Sequence, residues 1–134
     1  MKKIFLSLVM TLMMCLTASA DANYSMVGKI GGKYDVVFNF TYSQGRMQGA
    51  YYYVSQGVDK SIPLEGHLDE YNMWRFKEFV DGQYNGSFLL TPTFTKSYGR
   101  TIPVKATGKY RTRDGKMFNV RLKGSAEDFD REMW

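Results

Sequence analysis

KYDVVFNFTY, residues 33–42, sets Tyr34, Val36, Phe38, Phe40 and Tyr42 on one side of an extended chain and Lys33, Asp35, Asn39 and Thr41 on the other. Side chains of a strand point alternately to opposite faces, so an apolar row backed by a polar one describes a half-buried β-strand. The same alternation recurs near 24–30, 46–54, 58–68, 73–80, 84–94, 101–112 and 116–124, which makes eight strands in all. Turn signals separate them: Gly31-Gly32, Gln44-Gly45, Gln56-Gly57, Asp69 to Asn72, Asp81-Gly82, Ser97 to Gly99 and Asp114-Gly115. Connections this short favour antiparallel neighbours in a meander.

Residues paired across a hairpin must share a face, which lets each turn test the strand assignments around it. In TRDGK a three-residue loop, Arg113-Asp114-Gly115, pairs Tyr110 with Phe118 and Gly108 with Val120. In YSQGRM a two-residue turn at Gln44-Gly45 pairs Tyr42 with Met47 and Phe38 with Tyr51. Both bring apolar rows together. In FVDGQY a three-residue loop of the first kind, Val80-Asp81-Gly82, would pair Phe76 with Gly86 and Glu78 with Tyr84.

The inward rows each contain a glycine, at Gly28, Gly49, Gly66, Gly86, Gly108 or Gly124. Glycine weakens a strand, so its repeated placement on the inner face needs a cause, and the concave corners of a small closed barrel supply one. The expected fold is therefore all-β, an eight-stranded antiparallel up-and-down barrel, with a flattened β-sandwich as the alternative. This architecture resembles that of the lipocalin and avidin-like families. The lipocalin Gly-x-Trp is missing, however: Gly28-Lys29-Ile30 stands in its place, and Trp74 and Trp134 lie far from the first strand.

The opening MKKIFLSLVMTLMMCLTASA has the three parts of a secretory signal peptide: Lys2 and Lys3, an apolar run Ile4 to Leu16, and Ala18-Ser19-Ala20. Cleavage is expected after Ala20, giving a secreted or periplasmic protein. Cys15 follows the large Met14 rather than a small residue, which argues against a lipoprotein. Removing 20 of 134 residues leaves 114, enough for one domain over 21–124 and a short acidic tail over 125–134. The only cysteine leaves with the leader, so stability must come from packing. Of 18 basic residues two lie in the leader, so the exported part carries 16 against 13 acidic ones. From Lys96 to Lys123 there are nine Lys or Arg and one acid, whereas Glu127, Asp128, Asp130 and Glu132 face a single Arg131 beyond them.

Three features stand out as candidate sites. Glu78 falls on the inner row of WRFKEFV, among Trp74, Phe76 and Val80. A carboxylate there must find hydrogen bonds or a proton. With Tyr84, Trp74, Tyr51 and Tyr53 it would form the polar anchor of an aromatic-walled pocket at the barrel mouth, for a small apolar or aromatic ligand; alternatively it sits hydrated or ion-paired at the rim. The second feature is a basic outer face of Lys105, Lys109, Arg111 and Arg113 on the seventh strand with Arg121 and Lys123 on the eighth. It suits an anionic polysaccharide, a lipid headgroup or an acidic protein. Export, and the lack of interleaved exposed aromatics, argue against nucleic acid. The third is an apolar outward row, Ala50, Tyr52 and Val54, with Val37 beside it.

Catalytic patterns are weak. His67 is the only histidine and has no companion His or Cys, so no metal site is expected. Glu65 and Glu78 point to opposite faces and cannot act as a glycosidase pair. GKIGGK, residues 28–33, lacks the first glycine of a phosphate loop and leads into a strand. The expectation is a non-catalytic binding protein without a cofactor, using either the barrel mouth or the basic outer face.

Overall fold

The computed structural model describes residues 22–124. The leader, Cys15 and the acidic tail lie outside the described residues. Eight strands follow one another: β1 Ala22–Ile30, β2 Tyr34–Ser43, β3 Arg46–Tyr53, β4 Ile62–Leu68, β5 Trp74–Val80, β6 Gln83–Ser97, β7 Arg100–Thr112 and β8 Met117–Gly124. Each pairs antiparallel with the next, and β8 returns to pair with β1, closing the barrel and replacing the sandwich alternative.

The alternation of residues 33–42 carries over directly. Val36, Phe38 and Phe40 are buried, while Asp35, Asn39 and Thr41 are exposed. Phe38 stacks on Tyr51 at 4.8 Å between ring centroids and meets Phe88 edge-on at 5.2 Å. Phe40 contacts Trp74 and Phe76 edge-on at 5.2 and 5.1 Å. Offset and edge-to-face aromatic pairs add stabilisation beyond the area they bury. Together with Met26, Leu64, Leu90, Ala106, Val120 and Leu122 these rings form one core in the barrel centre. Lys29, Glu65, Lys77, Lys109 and Arg121 are exposed on the outer rows. This arrangement is the reverse of the apolar exterior of barrels that sit in lipid. Among the described residues no helix is long and apolar enough to cross a membrane.

The turns explain the registers. Gln44 and Gly45 both take positive φ, 52° and 83°, the mirror-image turn that suits a two-residue hairpin, and Phe38 pairs with Tyr51 as expected. The Arg113-Asp114-Gly115 loop likewise pairs Tyr110 with Phe118. At FVDGQY the chain departs from expectation. Asp81 and Gly82 form a two-residue turn with φ of 53° and 78°, so Val80 pairs with Gln83 and Phe79 with Tyr84. Uncorrected, that turn would leave Phe88 facing outward. A bulge opposite Glu78 and Phe79 inserts Asn85, after which Glu78 pairs with Gly86 and Phe76 with Phe88, both inward.

Residues 58–60 are also not strand but a single 3-10 turn, Val58–Lys60, after Gly57 at φ 87°. Extending β4 back through them would bring Lys60 onto the inner row with Ile62 and Leu64, which the core cannot accept. Tyr34 and Phe118 keep the inner phase, opposite Ile30 and Tyr110, but lie at the rim and are 50% and 38% exposed, whereas Tyr84 leaves the inner row and is 40% exposed.

The inward glycines mark where strands approach most closely. A Cβ on Gly28 would lie 1.8 Å from the Arg121 carbonyl oxygen of β8, and one on Gly108 would lie 1.9 Å from the Leu89 carbonyl oxygen of β6. Backbone cannot retreat as a side chain can, so overpacking there is severe. Gly108→Ala should therefore lower the unfolding free energy by roughly 3 kcal/mol or more, read as a reduced urea midpoint at unchanged slope.

Candidate functional site

Glu78 lies on β5 with only 1% of its surface exposed. The bulge brings Asn85 of β6 within reach, and its Nδ2 donates to Oε2 at 2.6 Å. The Tyr110 hydroxyl, from β7, donates to the same oxygen at 2.6 Å, and the Tyr51 hydroxyl, from β3, donates to Oε1. One carboxylate thus ties together four strands, two of them not neighbours of its own. Among the described residues no buried side-chain nitrogen or oxygen lacks a partner. Burial, then the charge of Glu78, pushes the Tyr51 hydroxyl far above its ordinary pKa. Burial and the hydrogen bond to Glu78 raise Tyr110 in the same way, and burial raises Tyr53.

The expected pocket residues separate. Tyr51, Tyr53 and Glu78 gather near the end of the barrel that carries the Asp81-Gly82 turn, with Tyr51 and Tyr53 meeting edge-on at 5.7 Å. Tyr84 is not Glu78's partner: it pairs with Phe79 and is exposed, because the two-residue turn places it outside. Trp74 belongs to the opposite end of the barrel, between Leu68 and Leu90 and against Tyr24 and Phe40. Asn85, absent from the sequence-based set, is the donor that a bulge delivers; the Asp-Gly dipeptide was its only signal.

The basic residues come out as one face. Lys105 pairs directly with Lys123, Thr107 with Arg121, and Arg121 in turn with Lys29 on β1. Like charges directly opposite across strands are destabilising, so Lys105 and Lys123 are placed at a cost to the fold alone. Lys109 donates to Asn119 Oδ1 and Arg111 pairs with Met117. Arg113 lies in the turn beyond β7 rather than on the strand. Lys29 forms an ion pair with Asp35 at 2.6 Å, whereas Arg121 and Lys123 form none among the described residues.

Closure of the barrel adds what the sequence left separate. β1 stands between the basic strands and the apolar row, so Val27 pairs with Lys123 on one side and Val37 on the other. An outer groove of about 650 Å³ runs along this seam. One wall is basic, from Arg121 and Lys123; the other is mainly apolar, from Val37 and Val54, with Asp35 beside them held by Lys29; Val27 and Lys29 form the floor. Val37 also pairs directly with Tyr52 of the outward apolar row.

His67 is exposed between Arg46 and Arg75, its partners on the two flanking strands. Among the described residues no three His, Cys, Asp or Glu side chains gather as a metal ion would require. No protein-family model matches the chain, and comparison with curated proteins and with solved structures finds no match to it.

The tyrosines give the fold a pH limit. Tyr51 keeps its proton in the folded state above its ordinary value of 10.0, where the unfolded chain has lost it. The folded state then holds more protons, so stability is intact below that pH and falls as pH rises past it. Tyr51 should contribute a loss of about 1.4 kcal/mol per pH unit there. Urea unfolding at a series of alkaline pH values measures it, and Tyr51→Phe should flatten the slope while costing about 1–3 kcal/mol near neutrality, because Glu78 Oε1 loses its donor.

Proposed function

We propose that this protein acts by binding rather than catalysis, and that its partner is an acidic protein segment bearing apolar side chains, received in the outer groove along β8, β1 and β2. One observation carries the reading: the groove sets the cations Arg121 and Lys123 opposite the apolar Val37 and Val54. An anionic polysaccharide or a lipid headgroup would match the cations and leave the valines without a counterpart. A peptide can supply both chemistries. Along the groove β8, β1 and β2 are each paired on both sides, so recognition there proceeds through side chains rather than by adding a strand.

The barrel mouth is a poorer seat for a ligand. Both oxygens of Glu78 already accept hydrogen bonds from Tyr51, Tyr110 and Asn85, and a ligand would have to replace donors that are in place. The signal peptide expected over residues 1–20 would put this binding activity outside the cytoplasm, in the periplasm or beyond the cell.

A labelled glutamate–tyrosine copolymer is a suitable probe, with fluorescence anisotropy as the readout. Binding should weaken as ionic strength rises from low to physiological, since exposed charges are progressively screened. Arg121→Glu combined with Lys123→Glu should weaken it roughly tenfold or more, about 1.4 kcal/mol. Salt-independent binding would overturn the proposal, as would equal affinity for dextran sulfate, which carries charge without apolar groups.

A further inference from the structure

The sequence itself contains a segment of the chemistry the groove selects. We infer that residues 125–134 of the same chain occupy the groove in cis, so that an outside partner must displace them. The inference rests on the reading of the groove given above and adds the identity of its resident occupant.

Three observations carry it. The first is charge and pattern. SAEDFDREMW contains four acids and ends in Met133 and Trp134. Laid out with the two-residue period of an extended chain, Asp128, Asp130, Glu132 and Trp134 fall on one edge and Glu127, Phe129, Arg131 and Met133 on the other. Three acids on the first edge suit the wall of Arg121 and Lys123; on the second, Phe129 and Met133 suit Val37 and Val54, and Arg131 suits Asp35 beside them.

The second is position. Gly124 pairs with Met26 at one end of the seam, while Gly31 donates its backbone N–H to the Asn119 carbonyl at the other. The groove therefore begins beside the residue from which the segment departs. The third is reach. Doubling back from Gly124 to the level of Asn119 spans five residues of strand, about 17 Å, and the ten residues after Gly124 extend to roughly 33 Å. A second copy of the barrel is a worse fit, because its basic face would bring Lys105, Arg121 and Lys123 against their own kind.

Fluorescence offers a direct test in the intact chain, because its two tryptophans differ in kind. Trp74 is 1% exposed in the core, so quenching by acrylamide reports chiefly on Trp134. Raising the ionic strength should increase that quenching about twofold as the segment leaves the groove. Arg121→Glu with Lys123→Glu should do the same at low salt. Adding Asp128→Lys, Asp130→Lys and Glu132→Lys to that variant should restore protection, since the charges are then exchanged across the contact. In the otherwise native chain, those three tail substitutions should tighten binding of the glutamate–tyrosine copolymer about tenfold by removing a tethered competitor.

Quenching that is unchanged by salt and by either set of substitutions would overturn the inference. If the copolymer still bound through Arg121 and Lys123, the groove would remain a binding site for outside partners alone. Copolymer binding absent from the tail variant as well would sink the groove reading itself. Quenching that depends on protein concentration would place the segment in a second molecule and overturn the cis assignment. The salt measurement uses the unaltered chain, so the test stands even if a charge variant fails to fold.

Discussion

The pairing of β8 with β1 is the constraint on which the rest of the molecule depends. It is made at very short range: the space a side chain on Gly28 would need is taken by the Arg121 carbonyl oxygen. Closure joins the first strand to the last, encloses the aromatic core and brings the basic and apolar outer rows to either side of β1. Interior and exterior chemistry are thus set by one seam. Without it Val120 and Leu122 would lose the β1 side of their enclosure, and the groove would lose a wall.

Inside that enclosure the aromatic side chains leave one polar group to be satisfied. Glu78 is accommodated because β3, β6 and β7 each contribute a donor. A buried carboxylate stripped of such partners costs several kcal/mol, which makes the cluster a specification of register as much as a source of stability. Moving β6 by two residues, to the register in which Glu78 would face Tyr84, would withdraw Asn85 from its place. The polar cluster and the bulge therefore require each other.

Much of the fold was legible because alternation, turn chemistry and inward glycines all point the same way. KYDVVFNFTY declared its faces, and the Gln44-Gly45 and Arg113-Asp114-Gly115 turns fixed their registers. FVDGQY misled because two solutions keep Gly86 and Phe88 inside: a three-residue loop, or a two-residue turn followed by a bulge. Periodicity cannot separate them, since an inserted residue restores the phase it first upset. Asn85 was invisible for that reason, and Tyr84 took its place. Val58–Lys60 was a different failure, an apolar residue read as strand although Lys60 breaks the inner row. The groove was half legible. Arg121, Lys123, Val37 and Val54 were each noted on outer rows, but only the return of β8 to β1 makes the two sets neighbours.

The seam also separates near from far in the chain. Seven of the eight pairings join consecutive strands, and only the eighth must bring together segments 90 to 98 residues apart, such as Ile30 with Val120 and Met26 with Gly124. Contacts between distant segments bear the largest entropy of loop closure and so reward folding late. The zipper's final tooth is then also the first place where breathing can start. Anything lodged across β8, β1 and β2 spans that tooth from outside, acting as a clasp whose grip and whose effect on melting are one thermodynamic quantity.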